Sequence, residues 1–262
     1  MNGIILAALI VGIIGLAFGL LLAFASVIFK VDVDERIEKI EEILPGANCG
    51  ACGFAGCSAY AHAIVEQGAE VDCCSVGKDS VARQIGGIMG KATAAKKPTV
   101  ARVLCAGSCD KAKNKYEYYG ISDCSAAAKL AGGQKECGTG CLGFGNCVKA
   151  CKFDAIHVEN GIAVVDEEKC VACGMCVKAC PKHIIELIPK DKSVTVLCKN
   201  HKPGKEVNQY CAAGCIACRI CEKNCPFEAI SVNDNLAVID YEKCKSCGIC
   251  ANKCPKKVII KR

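Results

Sequence analysis

The chain opens with a long uninterrupted run of hydrophobic positions. From Ile4 to Phe29 no residue is charged, and Lys30 is the first charge met. A helix of that length would reach about 39 Å, more than a ~30 Å hydrocarbon core, so the run predicts a single transmembrane anchor over 1–30. Ala23-Phe24-Ala25 would also suit signal-peptide cleavage, but Met1-Asn2-Gly3 carries no positive charge and the apolar stretch is too long. Lys30, Arg36 and Lys39 all follow the run, which predicts that the bulk of the chain faces inward.

The pattern then changes to helical spacing. Ile37, Ile40, Ile43 and Leu44 predict a helix over Asp34 to Leu44, stopped by Pro45-Gly46. A short helix over Ser58 to Gln67 ends at Gly68. Together they outline a small helical domain at 31–82. Gly86-Gly87, Gly90 and Lys91 to Pro98 lack apolar periodicity and predict a linker at 83–100.

The remainder repeats itself. Phe153 to Cys170 returns as Phe227 to Cys244 at an offset of 74, which holds from Cys137/Cys211 through Cys180/Cys254. Upstream, Val103-Leu104-Cys105 is echoed by Val196-Leu197-Cys198 at an offset of 93, so the first copy carries 19 extra residues, including Cys109 and Cys124. Each copy holds two cysteine runs around a strand-like stretch. The result is an α+β chain with modules at 101–190, containing the insertion, and 191–262.

Composition adds the chemistry. Cysteine accounts for 26 of 262 residues, in a chain neither short nor spaced like a disulfide scaffold. Thiols in tight groups of four are metal ligands and persist where thiols stay reduced, which places them on the cytoplasmic side. Aromatics are scarce at 5%, with no Trp, which disfavours a large aromatic core. The formal charge of +6 counts every thiol as neutral. Five [4Fe-4S] cubes, each about −2 with its thiolates, would bring the loaded protein to about −4, so the basic sequence does not argue for nucleic acid.

In the second copy, Cys215, Cys218, Cys221, Cys225-Pro226 and Cys244, Cys247, Cys250, Cys254-Pro255 both fit C-x2-C-x2-C-x3-C-P. In that layout the fourth cysteine of each run serves the other cluster. One cube therefore takes Cys215, Cys218, Cys221 and Cys254, and the other Cys244, Cys247, Cys250 and Cys225. These are two tandem bacterial-type 2[4Fe-4S] ferredoxin modules, the first of which departs from the rule. Its run Cys170, Cys173, Cys176, Cys180-Pro181 is intact, but Cys137, Cys141, Cys147 and Cys151 are irregularly spaced, and Phe144 stands where the second copy has Cys218. Cys137 can replace the missing ligand, because Gly138 and Gly140 let its loop bend back; the alternative is a [3Fe-4S] cube on Cys141, Cys147 and Cys180. Gly138, Gly140 and Gly143 match a nucleotide fingerprint, but cysteines flank and interrupt it.

The N-terminal group, Cys49, Cys52 and Cys57, has glycines between its thiols, and Cys73 or Cys74 can return as a fourth ligand. A zinc site would suit such spacing too. The apolar opening, the charged helix and C-G-x-C-G-x-x-G-C resemble the B subunit of the Rnf complex, a membrane-bound, ion-moving ferredoxin:NAD⁺ oxidoreductase. The resemblance covers nearly the whole chain and is nearer the longer clostridial form. It implies Cys74 as the fourth ligand, since Cys74-Ser75-Val76-Gly77 resembles the family's turn. It also implies reduced soluble ferredoxin as donor, other subunits of the complex and the membrane as partners, and NAD⁺ as the eventual acceptor.

Twenty cysteines are thereby expected in about five cubes. Cys73, Cys105, Cys109, Cys124, Cys198 and Cys211 are left as buried structural thiols, since Cys105, Cys109 and Cys124 lack an evident fourth partner for a further site. No flavin fold, P-loop or nucleophile with a base is evident, so no catalytic residue is expected. A basic patch of Lys256, Lys257, Lys261 and Arg262 is a candidate for steering an acidic donor. Two other readings remain: the electron-input subunit of another reductase, and a zinc-scaffolded adaptor.

Overall fold

The computed structural model describes residues 2–28, 34–93 and 97–262. Lys30 and residues 94–96 of the expected linker lie outside them. Four helices come first: α1 (Asn2–Ile28), α2 (Glu35–Ile43), α3 (Cys57–Glu66) and α4 (Lys78–Met89).

The structure overturns the transmembrane expectation. Among the described residues, no helix is long and apolar enough to cross a membrane. The inference of sidedness from Arg36 and Lys39 falls with it. Both are instead paired locally on α2, with Asp34 and Glu35.

α2 begins at Asp34, whose carboxylate accepts the Arg36 N–H at 2.9 Å and fills the N-cap position. It buries Ile37 and Ile40 against Tyr60 and Ile64 of α3 and Ile85 of α4, with Cys52, Cys57 and Cys74 at the edge of the same core. α4 runs through the start of the segment read as a linker. A Cβ at its Gly86 would come within 2.6 Å of the Lys91 carbonyl, so that glycine serves a close backbone approach within a helix.

The duplicated part forms eight short strands in four antiparallel pairs. In the first module β1 (Thr99–Val103) pairs with β4 (Ile185–Pro189), enclosing the hairpin β2 (Ile156–Glu159) and β3 (Ile162–Val165). The second repeats this with β5 (Val194–Val196) on β8 (Ile259–Lys261) around β6 (Ile230–Asn233) and β7 (Leu236–Ile239). The hairpins turn through Asn160-Gly161 and Asp234-Asn235, all at positive φ, as tight two-residue turns require. Each module packs its strands directly against cysteines: Ile156, Ala163 and Ile185 against Cys141 and Cys147, and Ile230, Ala237 and Ile259 against Cys215 and Cys221.

Between the modules, Arg102 on β1 is almost wholly buried (1% exposed). Its Nε and Nη2 donate to Glu167, and its Nη1 donates to the Lys192 carbonyl and the Thr195 hydroxyl. Arg262, at the chain terminus, donates to the same Glu167. One carboxylate thus joins β1, the segment after β3, and the last residue of the second module.

Candidate metal centres

Local backbone conformation explains how each cysteine run curls. In the second copy Ala217 and Arg219 have φ of 54° and 59°, on either side of Cys218. Ser246 and Gly248 flank Cys247, and Ala172 and Gly174 flank Cys173, all at positive φ. Gly143 and Gly145 hold the corresponding places in the irregular run, at φ 80° and 78°. A Cβ on Gly143 would lie 2.7 Å from the Gly161 carbonyl, so the residue type found at Ala217 would not fit there. Two left-handed residues per run fold the backbone back on itself and bring separated thiols to one side.

Arg219 stands where the other three runs have glycine, and a left-handed non-glycine residue costs roughly 1–2 kcal/mol. Arg219→Gly is therefore expected to stabilise the protein by about 1 kcal/mol, read as a later denaturant midpoint for loss of visible absorbance.

Five small cavities are each lined by four cysteines. Cys215, Cys218, Cys221 and Cys254 line one, Cys225, Cys244, Cys247 and Cys250 another, and Cys151, Cys170, Cys173 and Cys176 a third. Cys52, Cys57 and Cys74 lie together in the helical domain, where burial and the neighbouring Cys57 and Cys52 oppose the ionisation of Cys74 and the Gly77 N–H donates to its Sγ at 3.3 Å. Cys73 sits beside them, its N–H bonded to the Tyr60 hydroxyl.

The other two cavities depart from the sequence reading. Cys124, Cys141, Cys147 and Cys180 line one, so the irregular module finds its fourth thiol in the insertion. Asp123 caps α5 (Cys124–Lys129), and Asn146 clamps the pair: its Oδ1 accepts the Cys124 N–H at 2.8 Å and its Nδ2 donates to Asp123. Phe144, in the place of Cys218, stacks on Tyr118 of the same insertion with ring centroids 5.1 Å apart. Cys137 is placed elsewhere. It lines the last cavity with Cys105, Cys198 and Cys211, two thiols from each copy. The sequence held a signal for this site, since Cys105/Cys198 and Cys137/Cys211 recur as equivalent pairs. Cys124 had none, because the second copy lacks its segment.

The chemistry of these donor sets suits a polynuclear group. Burial pushes the Cys147 thiol up to about 12, and those of Cys176, Cys198, Cys221 and Cys250 to about 11, with neighbouring thiols adding to the shift. Four thiolates in such a place need a strongly cationic core at their centre. Thiols spread around a cavity match a cube that binds one thiolate at each iron.

The quartets are also close to one another. Cys49 lies near enough to Cys173 to oppose its ionisation, and Lys152 Nζ donates to the Asn48 carbonyl at 2.7 Å. The Cys141 N–H donates to Cys105 Sγ and the Cys215 N–H to Cys198 Sγ, both at 3.4 Å. The quartet shared by the modules is thus hydrogen-bonded, in equivalent fashion, to a ligand-bearing backbone on each side. The expected C-terminal basic patch is largely engaged: Arg262 holds Glu167, Lys256 donates to Asn208, and Lys261 to the Cys247 carbonyl.

Comparison with known proteins finds iron–sulfur families along the chain. A family of Fe-S cluster domains matches residues 44–76, a 4Fe-4S binding domain matches 163–186, and a 4Fe-4S dicluster domain matches 214–259. Among curated proteins, the chain is 47% identical to the B subunit of the Na(+)-translocating ferredoxin:NAD(+) oxidoreductase complex of Acetobacterium woodii, over 99% of this chain and 78% of that one. It is 44% identical to the B subunit of the proton-translocating ferredoxin:NAD(+) oxidoreductase complex of Clostridium ljungdahlii, over 99% and 93%. To the B subunit of the ion-translocating oxidoreductase complex of Methanosarcina acetivorans it is 42% identical over 94% of each.

Proposed function

The chain belongs to the family of B subunits of ion-translocating ferredoxin:NAD⁺ oxidoreductase (Rnf) complexes, and we propose that it holds six [4Fe-4S] clusters in series. It is an electron-transfer subunit, and the other subunits of the complex are its partners. The relatives' names supply the expected direction: electrons from reduced ferredoxin, NAD⁺ as the final acceptor, and ion movement across the membrane with which the complex associates. Those names include both a sodium and a proton enzyme, so likeness alone assigns no ion. Free thiols at all 26 cysteines favour the reducing, cytoplasmic side.

The observation carrying the six-cluster reading is that 20 of the 26 cysteines line five cavities, four to each, while Cys52, Cys57 and Cys74 gather in the helical domain, with Cys49 three residues before Cys52 in sequence. A [4Fe-4S] cube held by four thiolates accepts and passes one electron and leaves no iron open to substrate. The protein's own part is to hold the thiols, exclude water with the strands of each module, and aim backbone N–H groups at sulfur. We assign the clusters to Cys49/52/57/74, Cys151/170/173/176, Cys124/141/147/180, Cys105/137/198/211, Cys215/218/221/254 and Cys225/244/247/250. Cys73 and Cys109 remain outside. Anaerobic iron and sulfide analysis of the full chain is expected to give about 24 of each, at four per cube. A value of about 20 would remove one cluster from the assignment.

A further inference from the structure

Among the described residues only five polar or charged side chains are buried, namely Arg102, Ser108, Lys135, Thr195 and Asn200. Two of them, Lys135 and Asn200, line the cavity of Cys105, Cys137, Cys198 and Cys211, and none lines the other four cavities. Lys135 is 2% exposed, and its ammonium donates to the carbonyls of Gly107 at 2.7 Å and Gly161 at 3.1 Å. Among the described residues no carboxylate pairs with it. Asn200 is 4% exposed; its Nδ2 donates to Cys137 Sγ at 3.4 Å and to the Tyr210 hydroxyl at 2.8 Å. Backbone N–H groups of Gly107 and Cys141 donate to Cys105 Sγ, and that of Cys215 to Cys198 Sγ. Lys256 and Lys182, less buried, add positive charge near Cys211 and Cys137.

We propose that Lys135 and Asn200 are positioning residues that make the quartet shared by the two modules the most readily reduced of the six. The inference rests on the cluster assignment above. One-electron reduction takes a cube with its thiolates from about −2 to about −3. A buried cation and N–H donors aimed at sulfur favour the more negative form, and the low local dielectric enlarges the effect. By comparison, the quartet of Cys225, Cys244, Cys247 and Cys250 has two such donors, the Ala229 and Ser246 N–H groups, and its cation Lys192, which donates to the Cys244 carbonyl, is partly exposed and paired with Asp191. An electron reaching either module is therefore drawn toward their junction.

The test is a potentiometric titration of the full chain followed by EPR, with iron content measured on every sample. The wild type is expected to show one signal reduced ahead of the other five. In Asn200→Leu and in Lys135→Met that signal alone should move, its reduced-to-oxidised ratio at a fixed poise falling about tenfold, equal to about 59 mV for one electron. Lys135→Arg, which keeps the charge, should retain the wild-type position. Unchanged midpoints in both neutral variants would overturn the proposal. So would loss of the cluster from both, since the two residues would then hold the site together without setting its potential. A wild type with only about 20 irons, at four per cube, would instead refute the six-cluster assignment itself, a separate failure.

Discussion

Cys124→Ser is expected to strip one cluster from the first module, lowering iron from about 24 to about 20 per chain, or to leave a three-iron remnant with a signal in the oxidised protein. The argument is geometric. Cys124 lines a cavity with Cys141, Cys147 and Cys180, and Asn146, the residue preceding Cys147, accepts the Cys124 N–H. If Cys137 served that cube, as the spacing of the irregular run suggests, Cys124→Ser would be silent in iron content and in EPR. The double variant Cys124→Ser/Cys137→Ser separates the two arrangements further. Two different cubes are damaged if the thiols belong to different cavities, so the losses add; a shared cube would give no more loss than one substitution.

Arg102→Ala is expected to cost about 3 kcal/mol, the usual scale for removing one partner of a buried ion pair. Its guanidinium is nearly inaccessible to water and bonds a carboxylate on one segment and a backbone carbonyl and a hydroxyl on another. The loss is read as an earlier urea midpoint for bleaching of the visible absorbance. Burial alone would raise the Glu167 carboxyl, but Arg102 and Arg262 outweigh it and hold the group below its ordinary 4.5. A carboxyl lowered in the folded state contributes stability that is complete above about pH 4.5 and fades as pH falls further. Glu167→Gln should therefore weaken the protein near neutrality by less than Arg102→Ala, because Glu167 is partly exposed, and the difference from wild type should shrink in acid.

The parts legible in the sequence are those whose ligands lie close together along the chain. Cys215 to Cys225 and Cys244 to Cys254 carry their spacing openly, and so does Cys170 to Cys180. The strand pairs follow from the duplication, since the hairpin of each copy alternates between the same flanking runs. The shared quartet is harder, because its four thiols come from four distant segments that no local spacing joins. Equivalent cysteines in both copies, Cys105 with Cys198 and Cys137 with Cys211, are its only trace. Cys124 lies in an insertion without counterpart, where repetition has nothing to say. α4 is obscured by Gly86-Gly87, where the nearness of Lys91 demands a glycine and so imitates a flexible joint. At the N-terminus, charge-free length alone suggests a span, and the described residues do not support it.

Half of the ligands at the junction, Cys198 and Cys211, are synthesised only after the first module is complete. A nascent or truncated polypeptide ending near residue 190 has every thiol for three clusters and none of the geometry for that one. A cluster at the junction, as proposed above, would therefore require both halves of the chain to have been made and brought together before it could load.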